Sequence, residues 1–223
     1  MVAPSIGVAR LRILADEVPV VTVARPLTSS AVDIVRVDDR GGLALAVDHL
    51  IGLGHERVVH VDGGAAPSSE ERRTGYLEAM SAHGLGGLAR IVAGGLEQEH
   101  GLAAAAELVR AARADGGLDH LPTGVVAFND HVALGVVLGL QAVGAPVPGR
   151  VSVVGFDNAR HAQAEPVPLT TIDQNTDLMA RLALERAIGR AANSYLPTEQ
   201  IIVPRLVMRE STAPAAVTRA PAR

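Results

Sequence analysis

Closely spaced histidine and glutamate residues are the first candidates for chemistry, because zinc proteases carry two histidines one helical turn apart with a catalytic glutamate between them. The run from His55 to His60 reads HERVVH, so its second histidine comes one residue too late for that pattern. The run also follows a predicted helix end at Gly54 and enters a predicted strand. The two imidazoles would not share a helix face, and we therefore predict no metal site.

Two further catalytic patterns are missing from the sequence. The glycine-rich turns at 63–64, 84–87 and 94–95 do not give G-x-G-x-x-G between a strand and a helix, so a dinucleotide site is unsupported. No G-x-S-x-G segment presents a serine nucleophile. Asp38 and Asp39 could form a carboxylate pair, but a helix N-cap explains them more simply. We predict that the chain is not an enzyme and uses no cofactor.

Hydrogen-bonding side chains instead cluster where predicted strands end, at Ser68, Arg72, Asn129, Asp157 and Gln174. Each has a simpler explanation when taken alone: a helix or turn cap, a solvated charge, or strand-end polarity. Taken together, they are typical of the polar set that orients a small polar molecule in a cleft.

The elements that would position these side chains alternate between short β-branched runs and helical segments. Such alternation indicates βαβ units and a mostly parallel sheet, with ligands at the carboxyl ends of the strands. The predicted strands are 18–23, 32–37, 58–61, 90–92, 124–128, 151–156, 169–172, 200–203 and 206–208. The predicted helices are one capped by Asp38 or Asp39, then 69–83, 99–112, 132–143 and 176–192.

The composition is that of a folded protein with one large domain or two small lobes: 223 residues, 48% hydrophobic, with a net charge of −4. That charge offers no general attraction to nucleic acid. The absence of cysteine excludes disulfides and thiolate chemistry, and the absence of lysine excludes Schiff-base chemistry. No secretory signal and no membrane-spanning run is present, so we expect a cytoplasmic protein without a membrane partner.

Several blocks of the sequence, in the right order, resemble the LacI/GalR family of bacterial transcriptional regulators. VPVVTVARP resembles the family's VPVVxxDR strand, HLIGLGHERV its H-L-x-x-L-G-H block, and PLTTIDQ its P-x-L-T-T-[IV]-x-Q block. The matching blocks are 18–26, 37–63, 71–80, 125–158, 168–174 and 201–212.

The resemblance implies an α/β fold of two Rossmann-like lobes with mostly parallel sheets, as in type I periplasmic binding proteins. It implies three crossovers, expected near 54–58, 174 and 197–200. We expect the first lobe to lack its N-terminal part. The expected units are a partial N-terminal lobe of 1–56 plus 175–196, a C-terminal lobe of 57–174 plus 197–212, and a disordered tail of 213–223.

The resemblance also assigns roles to the polar set. Arg72 matches the family's cleft arginine, and Ser68 matches a hydroxyl that can contact the effector. Asn129 and Asp157 match cleft residues that hydrogen-bond the ligand, and Gln174 lies at a hinge near the cleft.

Two apolar residues complete the expected effector site. Phe156 could pack on the ligand or on the core, and core packing is the simpler expectation for a strand-end aromatic. Leu96 stands where sugar- and purine-sensing relatives often carry a stacking aromatic. Asp39 is a further departure, because asparagine is common at that position.

The function implied by the resemblance is the ligand-sensing and dimerisation region of a repressor, with a small polar effector such as a sugar or sugar acid between the lobes. We expect a homodimer. DNA would be bound only through a helix-turn-helix headpiece, which we expect this chain to lack. The alternatives are a solute-binding protein of the same fold and a truncated, non-functional regulator fragment.

Overall fold

The computed structural model describes residues 7–25, 27, 31–163, 167–192 and 196–215. The helices in this part of the chain are α1 Val8–Glu17, α2 Asp39–Gly52, α3 Ser69–Ala82, α4 Gln98–Ala114, α5 Asp130–Ala142 and α6 Thr176–Ala191. The strands are β1 Val21–Val23, β2 Asp33–Val37, β3 Val58–Val61, β4 Arg90–Val92, β5 Gly124–Ala127, β6 Ser152–Asp157, β7 Thr170–Asp173, β8 Glu199–Ile202 and β9 Arg205–Val207. None of the described helices is long and apolar enough to cross a membrane.

The strands form two sheets. The smaller sheet has the order β1-β2-β8 and is parallel throughout. The larger sheet has the order β4-β3-β5-β6-β7-β9, and only the β7–β9 pairing is antiparallel. This arrangement confirms the predicted α/β fold with mostly parallel sheets.

Helices cover both faces of the larger sheet, which explains why its central strands are continuous valine-rich runs. On one face, α4 and α5 enclose a core with Val125 and Val153. Glycines let these helices approach closely, since a Cβ on Gly101 would lie 2.1 Å from the Val132 carbonyl oxygen. The opposite face is covered by α2 and α3.

The smaller sheet forms lobe one together with α1 and α6. Leu11 of α1 shares a buried cluster with Val20 and Ile34. The buried carboxylate of Asp33 accepts a 2.8 Å hydrogen bond from Nε of Arg186 in α6 and a 3.1 Å bond from the Thr198 amide. This carboxylate therefore ties α6 and the approach to β8 onto β2. The helix α1 was not predicted from the sequence.

The first crossover was misplaced by the sequence analysis. We expected residues 1–56 in lobe one, but α2 packs against α3 and against the larger sheet. Leu43 and Leu50 share a core cluster with Tyr76, and Gly42 lies so close to Phe156 that a Cβ would be 2.7 Å from its ring. The chain therefore leaves lobe one at Asp38, between β2 and α2.

The third crossover was also misplaced. Strand β8 pairs with β2 in lobe one, and β9 pairs with β7 in the larger sheet. The third crossover therefore lies at 203–204, between these strands, and not at 197–200 as expected. The expected tail at 213–223 is ordered at its start, because the Ala213 carbonyl accepts hydrogen bonds from His55 and Ser152 and the Ala215 amide donates to Leu53. Residues 216–223 lie outside the described residues. The second crossover follows β7 at Gln174, as expected, because the next helix, α6, packs on β1 and β2 of lobe one.

Candidate functional site

Arg72 lies on the first turns of α3 and is almost completely buried in lobe two. Its Nε donates a 2.8 Å hydrogen bond to Oδ1 of Asp39, the first residue of α2. Its Nη1 donates to the carbonyl oxygen of Phe128, which follows β5. The guanidinium is therefore held by the start of α2 and by the end of β5.

Aromatic rings and a second carboxylate complete the surroundings of Arg72. Its guanidinium carbon lies 3.6 Å from the ring centre of Phe156 and 4.5 Å from that of Phe128, which places both rings in cation–π range. Its Nη2 is 3.9 Å from Oδ1 of Asp157. Burial raises the pKa of Asp157, while Arg72 and the hydrogen bond from Gln174 act to lower it. Phe156 is fully buried, as expected for core packing.

Gln174 joins this cluster at the second crossover, where its Nε2 donates to Oδ1 of Asp157. The side chains Asp39, Arg72, Asp157 and Gln174 thus form a continuous polar chain. One end of it lies next to the first crossover at Asp38 and the other at the second crossover. We name these four residues the hinge chain.

Asn129 and Leu96 lie together, apart from the hinge chain. Asn129 caps α5, because its Oδ1 accepts a 2.9 Å hydrogen bond from the Val132 amide, and its Nδ2 donates at 2.9 Å to the Leu96 carbonyl. The Leu96 side chain is 44% exposed. In this structure Asn129 has the capping role that its sequence position also allowed.

A buried carboxylate beside the cluster belongs to Asp130, the first residue of α5. It accepts a 2.6 Å hydrogen bond from the Thr171 hydroxyl and a 2.8 Å bond from the Ala159 amide. Burial raises the pKa of Asp130 to about 7, against the opposing effect of these two bonds. Asp130 therefore fixes the loop after β6 to the start of β7.

Backbone conformations are unusual at the same edge of lobe two. Ser68, Asp157, Asn158 and Asn175 have φ values of 65°, 116°, 55° and 54°, in the region that favours glycine. Such conformations are costly for other residues and cluster at ligand sites and switch regions.

A cavity of about 490 Å³ lies between the two lobes. Lobe one contributes Leu27, Arg36 and Glu199, and lobe two contributes Ala66 and the segment 68–71. Of the seven site residues predicted from the sequence, Ser68 alone lines this cavity. Ser68 precedes α3, and its side chain makes no capping bond to that helix.

The histidines of the HERVVH run are separated, as their spacing indicated. His55 lies in a loop with its Nε2 3.0 Å from the Ala213 carbonyl, and His60 lies in β3 with its Nδ1 donating at 2.9 Å to the Val126 carbonyl. Burial lowers the pKa of His60 to about 4, which keeps the ring neutral. No metal-binding group of three or more His, Asp or Glu side chains occurs in the described part of the chain.

Sequence reasoning missed Asp39 and Phe128 as partners of Arg72, and it missed most of the cavity wall. Asp38 caps α2 as predicted, by accepting from the Gly41 amide, but the adjacent Asp39 pairs with Arg72 instead. The departure from the common asparagine at position 39 was the available signal. Arg36 and Glu199 carried no signal, because they are 163 residues apart and meet only when β8 pairs with β2.

Comparison with known proteins identifies the fold and the family. The model of the periplasmic binding protein-like domain matches residues 47–212. The crystal structure of a LacI transcriptional regulator from a Rhodococcus species aligns with a TM-score of 0.88 and 38% identity, over 95% of this chain and 76% of that one. This chain belongs to the periplasmic binding protein-like family and, within it, to the LacI regulators. The resemblance found in the sequence motifs is thereby confirmed.

Two further relatives of this LacI-family chain are a longer regulator and a ligand-bound structure. It is 30% identical to the HTH-type transcriptional regulator DegA of Bacillus subtilis, over 91% of this chain and 58% of DegA. A LacI family regulator from Enterococcus faecium with bound ribose aligns with a TM-score of 0.79 and 27% identity, over 89% of this chain and 72% of that one. The chain spans about half the length of the curated relatives it matches.

Proposed function

We propose that this LacI-family chain is the effector-sensing region of a transcriptional regulator, with a small polar molecule such as a sugar or sugar derivative between its lobes. The observation that carries the proposal is the cavity of about 490 Å³ whose wall comes from both lobes. A ligand that contacts both walls binds the closed arrangement more tightly than the open one, and so shifts the population toward closure.

The hinge chain supports a mechanical role for this closure. It connects the first crossover to the second through one buried contact, Arg72–Asp39, and two part-buried ones, so the relative position of the two crossovers depends on Arg72. A rotation of lobe one relative to lobe two must change the backbone conformation at both crossovers. The left-handed conformations at Asp157 and Asn175 mark the same region as one that the surrounding structure holds under constraint.

In the whole regulator, closure would set the separation of two DNA-binding headpieces in a homodimer, and the protein would work in the cytoplasm. The relatives named above are regulators and not enzymes by name. The described residues also offer no activated nucleophile in the cavity, whose polar lining consists of serines, glutamates and one arginine. Binding, not catalysis, is the function that this lining supports.

Ligand binding can be tested by thermal shift and calorimetry with a panel of pentoses, hexoses and disaccharides. The cavity-filling variant Ala66→Trp should abolish stabilisation by any ligand that stabilises the parent chain. The matched control is Ala106→Trp, in a groove of about 340 Å³ between α4 and α5, and it should leave binding intact. A ligand that binds equally to the parent chain and to Ala66→Trp would place the effector site elsewhere.

A further inference from the structure

Lobe one contributes a charged pair to the wall of the interlobe cavity. Nε of Arg36 donates a 2.6 Å hydrogen bond to Oε1 of Glu199, and Nη1 of Arg36 donates at 3.3 Å to the Val37 carbonyl. The strand register places Glu199 opposite Ile34, two residues before Arg36, so the two side chains stand on the same face of the smaller sheet. Both residues line the cavity. Strand pairing therefore holds this pair at the cavity before any ligand binds.

The pair leaves part of its hydrogen-bonding capacity unused. Within the described part of the chain, Nη2 of Arg36 and Oε2 of Glu199 make no further hydrogen bond. The Arg36 side chain is 17% exposed and that of Glu199 is 41% exposed, so a molecule in the cavity can reach both. A guanidinium can only donate hydrogen bonds and an ionised carboxylate can only accept them. The pair therefore presents donors next to acceptors.

The wall from lobe two adds the hydroxyl of Ser68. This residue lines the cavity, is 6% exposed, and has a left-handed backbone conformation with a φ of 65°. A serine that precedes a helix ordinarily stabilises it by a capping bond, but the Ser68 side chain makes no such bond to α3. Its hydroxyl is therefore left for another partner. The neighbouring Ser69 does not contribute, because its Oγ is inaccessible.

A neutral polyol suits these groups better than an acid does. A hydroxyl both donates and accepts hydrogen bonds, so one hydroxyl can accept from Arg36 while its neighbour donates to Glu199. An acid would instead meet a lining that carries one arginine and three glutamates, and like charges repel it. The sugar acid that the sequence left open is therefore the less suitable ligand.

We propose that Arg36 and Glu199 determine the specificity of the effector site by binding two adjacent hydroxyls of a neutral polyol. This inference rests on the proposed function and names the residues that select its ligand. Arg36 donates to one hydroxyl oxygen, Glu199 accepts from the next, and Ser68 contacts the same molecule from lobe two. Because these residues belong to different lobes, their contacts form together only when the lobes close on the polyol.

The test uses the full 223-residue chain and sugars from which single hydroxyls have been removed. Calorimetry compares glucose, galactose and mannose with their 2-, 3-, 4- and 6-deoxy analogues and with their uronates. For at least one sugar, we expect the loss of either of two adjacent hydroxyls to weaken binding on the order of tenfold or more, because a charged donor or acceptor is left without a partner. Loss of the other hydroxyls should weaken binding less, and the uronate should bind more weakly than the neutral sugar.

Two double variants, each of which leaves the net charge of the chain unchanged, assign the preference to the pair. In Arg36→Met/Glu199→Met, the preference for the sugar over these two deoxy analogues should fall to roughly twofold or less, because the groups that recognise both hydroxyls are gone. The control Arg40→Met/Glu78→Met removes an ion pair whose side chains are 57% and 51% exposed and do not line the cavity, and its preferences should match the parent chain. If the first variant lacks a cooperative thermal melt, Glu199→Gln alone should reduce the preference at one of the two hydroxyls.

The outcomes separate this inference from the function on which it rests. If a sugar binds and Ala66→Trp abolishes its binding, but its preferences persist in Arg36→Met/Glu199→Met, the cavity remains the effector site and the role of the pair is wrong. A uronate that binds more tightly than its neutral sugar would also overturn the inference and leave the site in place. If no panel member binds to the folded parent chain, both the effector site and its specificity are overturned.

Discussion

Replacement of Arg72 by methionine tests whether the hinge chain is held by a buried ion pair. Methionine keeps most of the apolar stem that packs between Phe156 and Phe128, but removes the guanidinium. The Asp39 side chain, which is 2% exposed, is then left as a buried charge without its partner. Loss of one member of a buried pair costs about 3–5 kcal/mol, which is a large share of the roughly 5–15 kcal/mol that stabilises a typical domain.

Urea denaturation of the parent chain and the variant measures this cost. The matched control is Arg40→Met: the side chains of Arg40 and its partner Glu78 are 57% and 51% exposed, so its loss should cost about 1 kcal/mol or less. The double variant Arg72→Met/Asp39→Asn removes the orphaned charge and should regain roughly 2 kcal/mol relative to Arg72→Met. If Arg72→Met costs no more than Arg40→Met, the buried pair does not hold the site together.

Two further predictions concern lobe two. Because burial raises the pKa of Asp130 from 3.8 to about 7, the folded state holds that proton more tightly; its stabilising contribution is complete below the unfolded-state pKa and is lost as the pH rises through the folded-state pKa. The unfolding free energy of the parent chain relative to Asp130→Asn should therefore fall by up to roughly 1.4 kcal/mol per pH unit between those two pKa values. His60, whose pKa is lowered, contributes with the opposite sign in both proteins, so its contribution cancels in this difference. A difference that does not change with pH would contradict the raised pKa of Asp130. Gly42→Ala should destabilise the chain by about 1–3 kcal/mol in urea denaturation, because its Cβ would meet the Phe156 ring. The control Gly52→Ala, at the end of the same helix with nothing within 4 Å, should be neutral or slightly stabilising, and equal effects of the two would refute the close contact.

The sequence was sufficient for the elements and for the family, because both follow from local signals. Valine-rich runs bounded by Gly and Asn or Asp residues predicted β3, β5 and β6 to within one or two residues. The exception is the helix α1, which was missed; Leu11 is the one buried residue that this helix contributes.

The lobe boundaries could not be predicted in the same way. The apolar face of α2, with Leu43, Val47 and Leu50, would suit either sheet, and its packing on the larger one, with Gly42 against the Phe156 ring, is seen only in the structure. Strand β8 is similarly ambiguous, since its burial pattern resembles that of an edge strand in either lobe. The lobe to which an element belongs is a property of tertiary packing, not of its own sequence.

The residue at position 39 influences the contacts of Arg72, one of the predicted site residues. A polar residue at position 72 reads from the sequence as a ligand contact; in the structure the guanidinium of Arg72 pairs with Asp39, and Arg72 is not among the described residues that line the cavity. Asparagine at position 39 would offer an oxygen without a charge, and the attraction on Arg72 would be correspondingly weaker. The charge of Asp39 thereby strengthens the contact that holds Arg72 beside Asp157 and, through Asp157, Gln174 at the second crossover.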